Sequence, residues 1–479
     1  MGTRGILISF IFIGVASAQE AGHETRHAIA DRHVDLAEKL EKKHPREAFE
    51  ELAIALEMDP NDLRARTKLG YKRDENKVWR GNPQLPLPGP ALDAKLLQER
   101  DHIHKDSATK LVFAARHLAD EKKNDDARAL AGLALEENPE EKTARDLLGH
   151  EKRGEAWTSA RERHVRAAFA KALAAAKGGE AKASGDDEAL EKLCGVGALD
   201  RKESEHAVIY SSKAANAEAD ALLRTAETAW LAQRYFIAGD DNGFSVEGEA
   251  KRQATGGLEA PKLRPDWLVV ADPEHVPFVE ASLPDKSRHA FAKSLHGWSE
   301  WQAVPSGQVL LCEGHFAAHM RAEWVSAGMA DYLTYMPLGK RALQIPEFMQ
   351  EGVKRFFSGH VSGRAEIFYA SAGSSTSKRS FQASTFDALR AHAREGLRDL
   401  PFGELRSLLA KKTNDLDQVD SAVALAFMDF LLARKRVELA TFFTSLKEGE
   451  NGVPTLEAAT KKSVEELDLE LREFVREEY

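Results

Sequence analysis

An internal repeat near the start of the chain constrains the fold more than any other feature. Residues 52–71 align without a gap with residues 131–150, and each aligned pair lies 79 positions apart, as Pro60 does from Pro139. A helix, a turn marked by proline, a second helix and a glycine stop explain this pattern. Such units bury their apolar faces by stacking on a neighbour. The identical pairs are Ala55/Ala134, Leu56/Leu135, Glu57/Glu136, Pro60/Pro139, Ala65/Ala144, Arg66/Arg145, Leu69/Leu148 and Gly70/Gly149.

The repeat resembles tetratricopeptide-like helical hairpins in a divergent form. The likeness rests on the spacing of the helices and on the placement of Ala and Pro, and we assign residues 19–157 to it. The resemblance implies either a concave surface that binds a protein or peptide, or a packing spacer that carries the next domain. Residues 158–204 are rich in Ala, Gly, Lys and Glu, which predicts a helix followed by a flexible linker.

The first 18 residues have the pattern of a secretory signal peptide. Arg4 supplies the positive start, and an apolar run follows that is too short to span a bilayer. Ala16, Ser17 and Ala18 form a small-residue cleavage site. The alternative is an uncleaved anchor or a buried helix. The pattern favours an exported, soluble protein, periplasmic or extracellular, of a bacterial kind.

Charge and cysteine usage narrow the classes of partner. The formal net charge is -10 and the basic residues are spread out, so we expect no nucleic-acid partner. After the signal peptide, no segment is apolar enough to predict an integral membrane segment. The two cysteines, Cys194 and Cys312, can pair in an oxidising compartment only if the fold brings them close, which the sequence leaves open.

The chain changes character near residue 205. Strand-like apolar runs alternate with helical patterns, and almost continuous helix follows to the end of the chain. The whole chain is therefore predicted to be α+β and mostly α, with a small sheet and a helical C-terminal half in residues 205–479. The predicted strands are residues 206–212, 266–272 and 306–312, and residues 217–236 are a predicted long helix.

Three residues in this region have the pattern of a zinc site. His315 and His319 are four residues apart, which on a helix places both imidazoles on one face, about a turn apart. Two neutral imidazoles so placed can bind one zinc ion. Glu351 lies on a second predicted helix, opened by Pro346, and is the candidate third ligand. The usual zinc-peptidase helix reads His-Glu-x-x-His, but Phe316 stands where the general base belongs.

On these motifs, residues 205–479 resemble the gluzincin-type peptidase MA-like domain of bacterial exported proteins. The resemblance implies that His315 and His319 match the imidazole ligands of zinc and that Glu351 matches the carboxylate ligand in a P-x-F-x-x-E-G segment. Phe348 replaces the tryptophan of that segment. The resemblance also implies a zincin-like fold and zinc as the cofactor, retained or lost.

The missing base leaves three hypotheses for the function. The first is an exported pseudo-metallopeptidase that binds a polypeptide or an envelope partner through its cleft and repeats, because loss of a general base costs ~100- to 10,000-fold in rate. The second is an active zinc metallopeptidase in which Glu313, ~4.5 Å along the helix axis from Phe316, is a displaced base. The third is a repeat-based scaffold or assembly protein with a metal-free C-terminal domain.

Overall fold

The computed structural model shows a mostly helical protein that divides into two compact units. The first unit is Met1–Glu162 with Leu397–Phe402 and Leu469–Tyr479, and the second is Arg163–Gly396 with Gly403–Asp468. The predicted division near residue 205 therefore lies inside the second unit. The structure describes residues 22–73, 79–80, 86–87, 89–154, 156–176, 180–182, 200–211, 216–238, 266–270, 301–304, 307–313, 318–365, 385–400 and 403–479.

The first unit consists of two sets of helices, each followed by a short hairpin of two antiparallel strands. The elements of the first set are α1 (His23–Leu40), α2 (Pro45–Met58), α3 (Leu63–Lys68), β1 (Lys72–Arg73) and β2 (Trp79–Arg80). Those of the second set are α4 (Ala94–Asp120), α5 (Asn124–Glu137), α6 (Lys142–Leu148), β3 (Glu151–Arg153) and β4 (Ala156–Thr158). Helix α1 packs against α2 and α4, and α4 packs against α5.

The predicted repeat is confirmed as a helix, a turn, a second helix and a glycine stop. Helices α2 and α5 begin and end at positions 79 residues apart. Gly70 and Gly149 have φ angles of 82° and 74°, the left-handed region that favours glycine at the end of a helix. Ala55 and Ala134 are fully buried, which lets the packed helices approach closely. The strand hairpin after each helix pair was not predicted.

The second unit combines a six-stranded sheet with a helical half. The strands are β5 (Glu180–Lys182), β6 (Asp200–Glu203), β7 (Val208–Ser211), β8 (Asp266–Val270), β9 (Trp301–Val304) and β10 (Gly307–Glu313). Their order across the sheet is β5-β6-β7-β8-β10-β9. Strand β8 is parallel to both β7 and β10, whereas β9 is antiparallel to β10.

Three of these strands confirm the sequence prediction and three differ from it. Strands β7, β8 and β10 fall in the predicted segments 206–212, 266–272 and 306–312. Strands β5 and β6 pair with each other inside residues 180–203, where the sequence predicts a flexible linker, so that prediction is wrong for these residues. Both strands are short and rich in charged residues, so neither has the alternating apolar pattern on which strand prediction depends.

The remaining helices lie mostly in the second unit, and one of them is apolar and buried. They are α7 (Ala160–Ala175, whose first three residues belong to the first unit), α8 (Asn216–Gln233), α9 (Ala318–Tyr335), α10 (Glu347–Ser362), α11 (Phe386–Asp399, whose last three residues belong to the first unit), α12 (Leu405–Ala410), α13 (Gln418–Arg434), α14 (Arg436–Ser445), α15 (Gly452–Thr460) and α16 (Val464–Glu478, which belongs to the first unit from Leu469 onward). Helix α13 is buried around most of its circumference, and α10 packs between α9 and α13. Among the described helices, none combines the length and the apolar character that crossing a membrane requires.

Candidate functional site

Two of the three predicted zinc ligands, His319 and Glu351, lie on neighbouring helices of the second unit. His315 and Phe316 fall outside the described residues, and His319 is the second residue of α9. Glu313 is the last residue of β10, so the proposed substitute base does not share a helix with His319. Glu351 lies in α10, which packs against α9. The meeting of the three ligands around one ion stays a prediction.

Glu351 is buried in contact with an arginine on its own helix. Nε of Arg355, one turn later, donates a 2.9 Å hydrogen bond to Oε1 of Glu351. The same Nε donates a 2.8 Å hydrogen bond to the hydroxyl of Ser421 on α13, which in turn donates to Oε1 of Glu351. Nη1 of Arg355 also lies 3.8 Å from Oε1 of Glu323, a fully buried residue of α9. Arg355 thus faces two buried carboxylates.

A second ion pair joins the same two helices. Nζ of Lys354 on α10 lies 3.1 Å from Oδ2 of Asp331 on α9. Burial raises the pKa of Asp331 to about 6, even though the lysine acts against this shift. Burial alone would lower the pKa of Lys354, but the negative charge of Asp331 raises it. The α9–α10 interface therefore contains charged groups whose ionisation is coupled to folding.

Gly352, next to the predicted ligand, has a packing role. A Cβ atom at this position would lie 2.4 Å from the carbonyl oxygen of Ala424 on α13. No real Cβ atom approaches an oxygen so closely, so only glycine lets α10 and α13 pack in this way. The glycine of the P-x-F-x-x-E-G segment is therefore explained by the contact between the two helices.

The first unit contains a closed ring of two histidines and two glutamates, one from each of its four longer helices. We call His33 (α1), Glu51 (α2), His104 (α4) and Glu137 (α5) the His–Glu ring. All four are buried except His104, which is partly exposed. Each imidazole lies between the two carboxylates, and the centroids of the two imidazoles are 5.2 Å apart. The ring thus joins helices from both copies of the repeat.

The two sides of the His–Glu ring differ in their hydrogen bonding. Glu51 makes hydrogen bonds with Nδ1 of His33 at 2.6 Å and with Nε2 of His104 at 3.2 Å. On the other side, Oε1 of Glu137 lies 3.2 Å from Nε2 of His33, and Oε2 lies 2.7 Å from Nδ1 of His104. Both distances on this side are those of an ion pair between a carboxylate and an imidazole.

The charges of the His–Glu ring shift the pKa values of all four of its side chains. Burial opposes protonation of the histidines, but the carboxylates of Glu137 and Glu51 overcome it and raise the pKa of His33 and of His104 to about 9. Burial would raise the pKa of both carboxyl groups, yet the two imidazoles hold those pKa values below the usual range. Nε of Arg100 donates a 2.6 Å hydrogen bond to Oε1 of Glu51 and so places a further positive charge beside this carboxylate.

Three members of the ring can hold a metal ion. Ligand atoms of His33, His104 and Glu137 all lie within 4.8 Å of one another. Sequence reasoning missed this group because its members are far apart along the chain and match no short motif. One signal was present. His33 lies four residues after Ile29 and four before Ala37, both buried, so a titratable side chain occupies the apolar face of its helix.

Comparison with known proteins gives no relative for this chain. No family model matches it, and neither a curated protein nor a solved structure is similar to it by these comparisons.

Proposed function

We propose that this protein is an exported pseudo-metallopeptidase that binds a polypeptide without cleaving it. The observation that carries the proposal is the ion pair of Glu351 with Arg355, because it places a positive charge on the carboxylate that a peptidase would offer to zinc. Export is supported by the signal-like residues 1–18. A zincin-like ancestry is supported by the succession of β10, α9 and α10, which is the strand–helix–helix order that the gluzincin resemblance implies.

The ion pair opposes zinc binding on electrostatic grounds. Oε1 of Glu351 already accepts hydrogen bonds from Arg355 and Ser421, which uses both of its lone pairs. A divalent ion placed on this carboxylate would also face the positive charge of a buried guanidinium. Separating a buried ion pair leaves an uncompensated charge, at a cost of about 3–5 kcal/mol. The geometry therefore favours a second unit that functions without metal.

Loss of catalysis is supported by the residues at the position of the base. Phe316 carries no group that can take a proton from water. Glu313 ends strand β10, five residues before the first described turn of α9. A general base must lie within hydrogen-bond reach of the attacking water, and a residue on a different element from His319 lacks the helical spacing that normally sets this distance.

Polypeptide binding is supported by the sheet of the second unit. Strand β9 is the last strand on its side of the sheet among the described strands, and it pairs with β10 only. An edge strand leaves a row of backbone N–H and C=O groups unpaired. An extended polypeptide can add to such an edge by main-chain hydrogen bonds.

The proposal is tested with fluorescein-labelled, unfolded casein and the mature full-length chain. We expect casein to bind, measured as a rise in fluorescence anisotropy, while fragment release stays equal for the wild type and a Glu351→Ala variant. Cleavage by the wild type that Glu351→Ala abolishes would contradict the proposal and support the active peptidase.

A second candidate, a repeat-based scaffold, is favoured by the duplicated helices of the first unit. Hydrogen exchange with and without casein separates the two candidates. Protection of the backbone amides of Trp301–Val304 supports binding at the sheet edge. Protection confined to Pro45–Met58 and Asn124–Glu137 means that the repeats carry the binding.

A further inference from the structure

We infer that the first unit binds one divalent transition-metal ion through Nε2 of His33, Nδ1 of His104 and the carboxylate of Glu137. This site is independent of the proposed function, because it lies in the other unit and uses none of the residues 205–479. The three donor groups are the nitrogen and oxygen ligands that zinc takes in proteins. Their ligand atoms already lie within 4.8 Å of one another.

The distances within the ring suit a shared ion. Two ligands at zinc bond lengths of 2.0–2.1 Å in a tetrahedral site are about 3.4 Å apart. Nε2 of His33 and Oε1 of Glu137 are separated by 3.2 Å. Nδ1 of His104 and Oε2 of Glu137 are separated by 2.7 Å, so this side needs a small adjustment.

Glu51 provides the independent evidence, because it sets which nitrogen of each histidine is free. It bonds to Nδ1 of His33 and to Nε2 of His104. With a proton held on each of those nitrogens, the lone pairs of the neutral rings lie on Nε2 of His33 and Nδ1 of His104. Both of these atoms are the ones nearest Glu137. A carboxylate behind a ligating histidine is the usual support of a metal site, and here one carboxylate supports two.

The surroundings of Glu137 point to the same conclusion. Its side chain is fully buried, and each of its two oxygens faces one imidazole, so the groups around this carboxylate are themselves metal ligands. A metal ion bound among them would replace these two direct contacts. The charge also balances, since one divalent ion replaces the two protons that the imidazoles otherwise carry. Binding releases those protons to solvent.

The position of the site gives the ion a structural role. His33 lies on α1, His104 on α4 and Glu137 on α5, so one ion would join both copies of the repeat. Arg100 pairs with Glu51 through Nε, and its Nη2 lies 2.9 Å from Oε2 of Glu50. Because the ion would hold three helices together, we expect it to stabilise the fold of the first unit.

The test uses the full-length chain, freed of metal by a chelator and titrated with zinc and with cobalt(II) against a competing dye. The site variant is Glu137→Gln, the supporting variant is Glu51→Gln, and Glu57→Gln is the matched control. Glu57 is also a buried glutamate of the first unit, but it faces Arg472 and Arg476 rather than histidines. Glu351→Gln tests for a contribution from the second unit.

We expect one equivalent of zinc in the wild type, in Glu57→Gln and in Glu351→Gln. Glu137→Gln should weaken binding by at least 100-fold, and Glu51→Gln by about 10- to 100-fold, as for other residues that support metal ligands. Equal zinc affinity of the wild type and Glu137→Gln would overturn the inference, and so would absence of zinc binding by the wild type.

X-ray absorption of the zinc-loaded wild type provides a measurement that needs no variant to fold. The inference requires two imidazole nitrogens and at least one oxygen around the ion. A sulfur ligand, or a shell of oxygens alone, would overturn it.

Discussion

Nε of Arg355 donates a 2.9 Å hydrogen bond to Oε1 of Glu351, one turn earlier on α10, and both side chains are almost entirely buried. Glu351 is the carboxylate that the sequence motif assigns to zinc. It is paired with Arg355, a cation of the chain itself. Whether this carboxylate can also bind zinc depends on the strength of that pairing. The His–Glu ring of the first unit is the group among the described residues with the ligand types and spacing of a metal site.

The Arg355–Glu351 pair predicts a strong dependence of stability on both partners. Arg355→Met should lower the free energy of unfolding of the second unit by about 3–5 kcal/mol, because it leaves Glu351 buried and uncompensated. The double variant Arg355→Met, Glu351→Leu should recover most of this loss. Urea unfolding, followed by tryptophan fluorescence and circular dichroism, measures both. Equal stability of the wild type and Arg355→Met would contradict the buried pair.

Asp331 predicts a fall in stability of the second unit as pH rises from about 4 to 6. Its pKa is about 6 in the folded protein, above the ordinary value of 3.8, so the folded state binds more protons in this range. The expected contribution is about 3 kcal/mol, from 1.36 kcal/mol for each pKa unit. Lys354 contributes no slope here, because its pKa is raised from 10.5 and its effect disappears only above that value.

The matched variant for this pH effect is Asp331→Asn with Lys354→Met, which removes both charges of the pair. Unfolding free energies at pH 4, 5, 6 and 7 should show a downward slope in the wild type that the double variant lacks. Identical slopes in the two proteins would refute a raised pKa at Asp331.

Gly352 predicts that one added methyl group forces α10 and α13 apart. Gly352→Ala should destabilise the second unit by about 1–3 kcal/mol, because its Cβ would overlap the carbonyl oxygen of Ala424. Gly132→Ala is the milder comparison, since its Cβ would lie 3.1 Å from the Cβ of Arg476, a much smaller overlap. Thermal unfolding that ranks the two variants in the opposite order would show that α10 and α13 are not in such close contact.

Zinc should stabilise the first unit if the His–Glu ring binds it. At a free zinc concentration 100 times Kd, the expected gain is about 2.7 kcal/mol. A chelator should reverse the gain, and Glu137→Gln should show neither effect. Differential scanning fluorimetry at fixed protein concentration measures this shift. A zinc-dependent rise in Tm that persists in Glu137→Gln would place the ion elsewhere.

Local signals in the sequence predicted a substantial part of the fold. Pro60 and Pro139 mark the turns, and Gly70 and Gly149 mark the helix ends, because proline and glycine act on the backbone where they stand. The apolar runs of β7, β8 and β10 were recognisable because the apolar residues lie within the strands themselves. Strands β5, β6 and β9 were not, since each has at most four residues, and β5 and β6 are rich in charged residues and lack an alternating apolar pattern.

The sites were harder to predict because they depend on packing between distant segments. His33 and Glu137 are brought together only by the packing of α1, α4 and α5. The sequence did predict Glu351 as a distinctive residue, and its role as a ligand stays a prediction. Its neighbour Arg355 lies four residues later, the spacing of an ion pair on one helix, and this was the local signal that indicated the alternative role.

The most direct test of the account is anomalous diffraction at the zinc absorption edge, from crystals of the full-length chain loaded with one equivalent of zinc. We expect one strong peak within bonding distance of His33, His104 and Glu137, and no peak beside Glu351. A peak between His319 and Glu351, with none at the His–Glu ring, would contradict it.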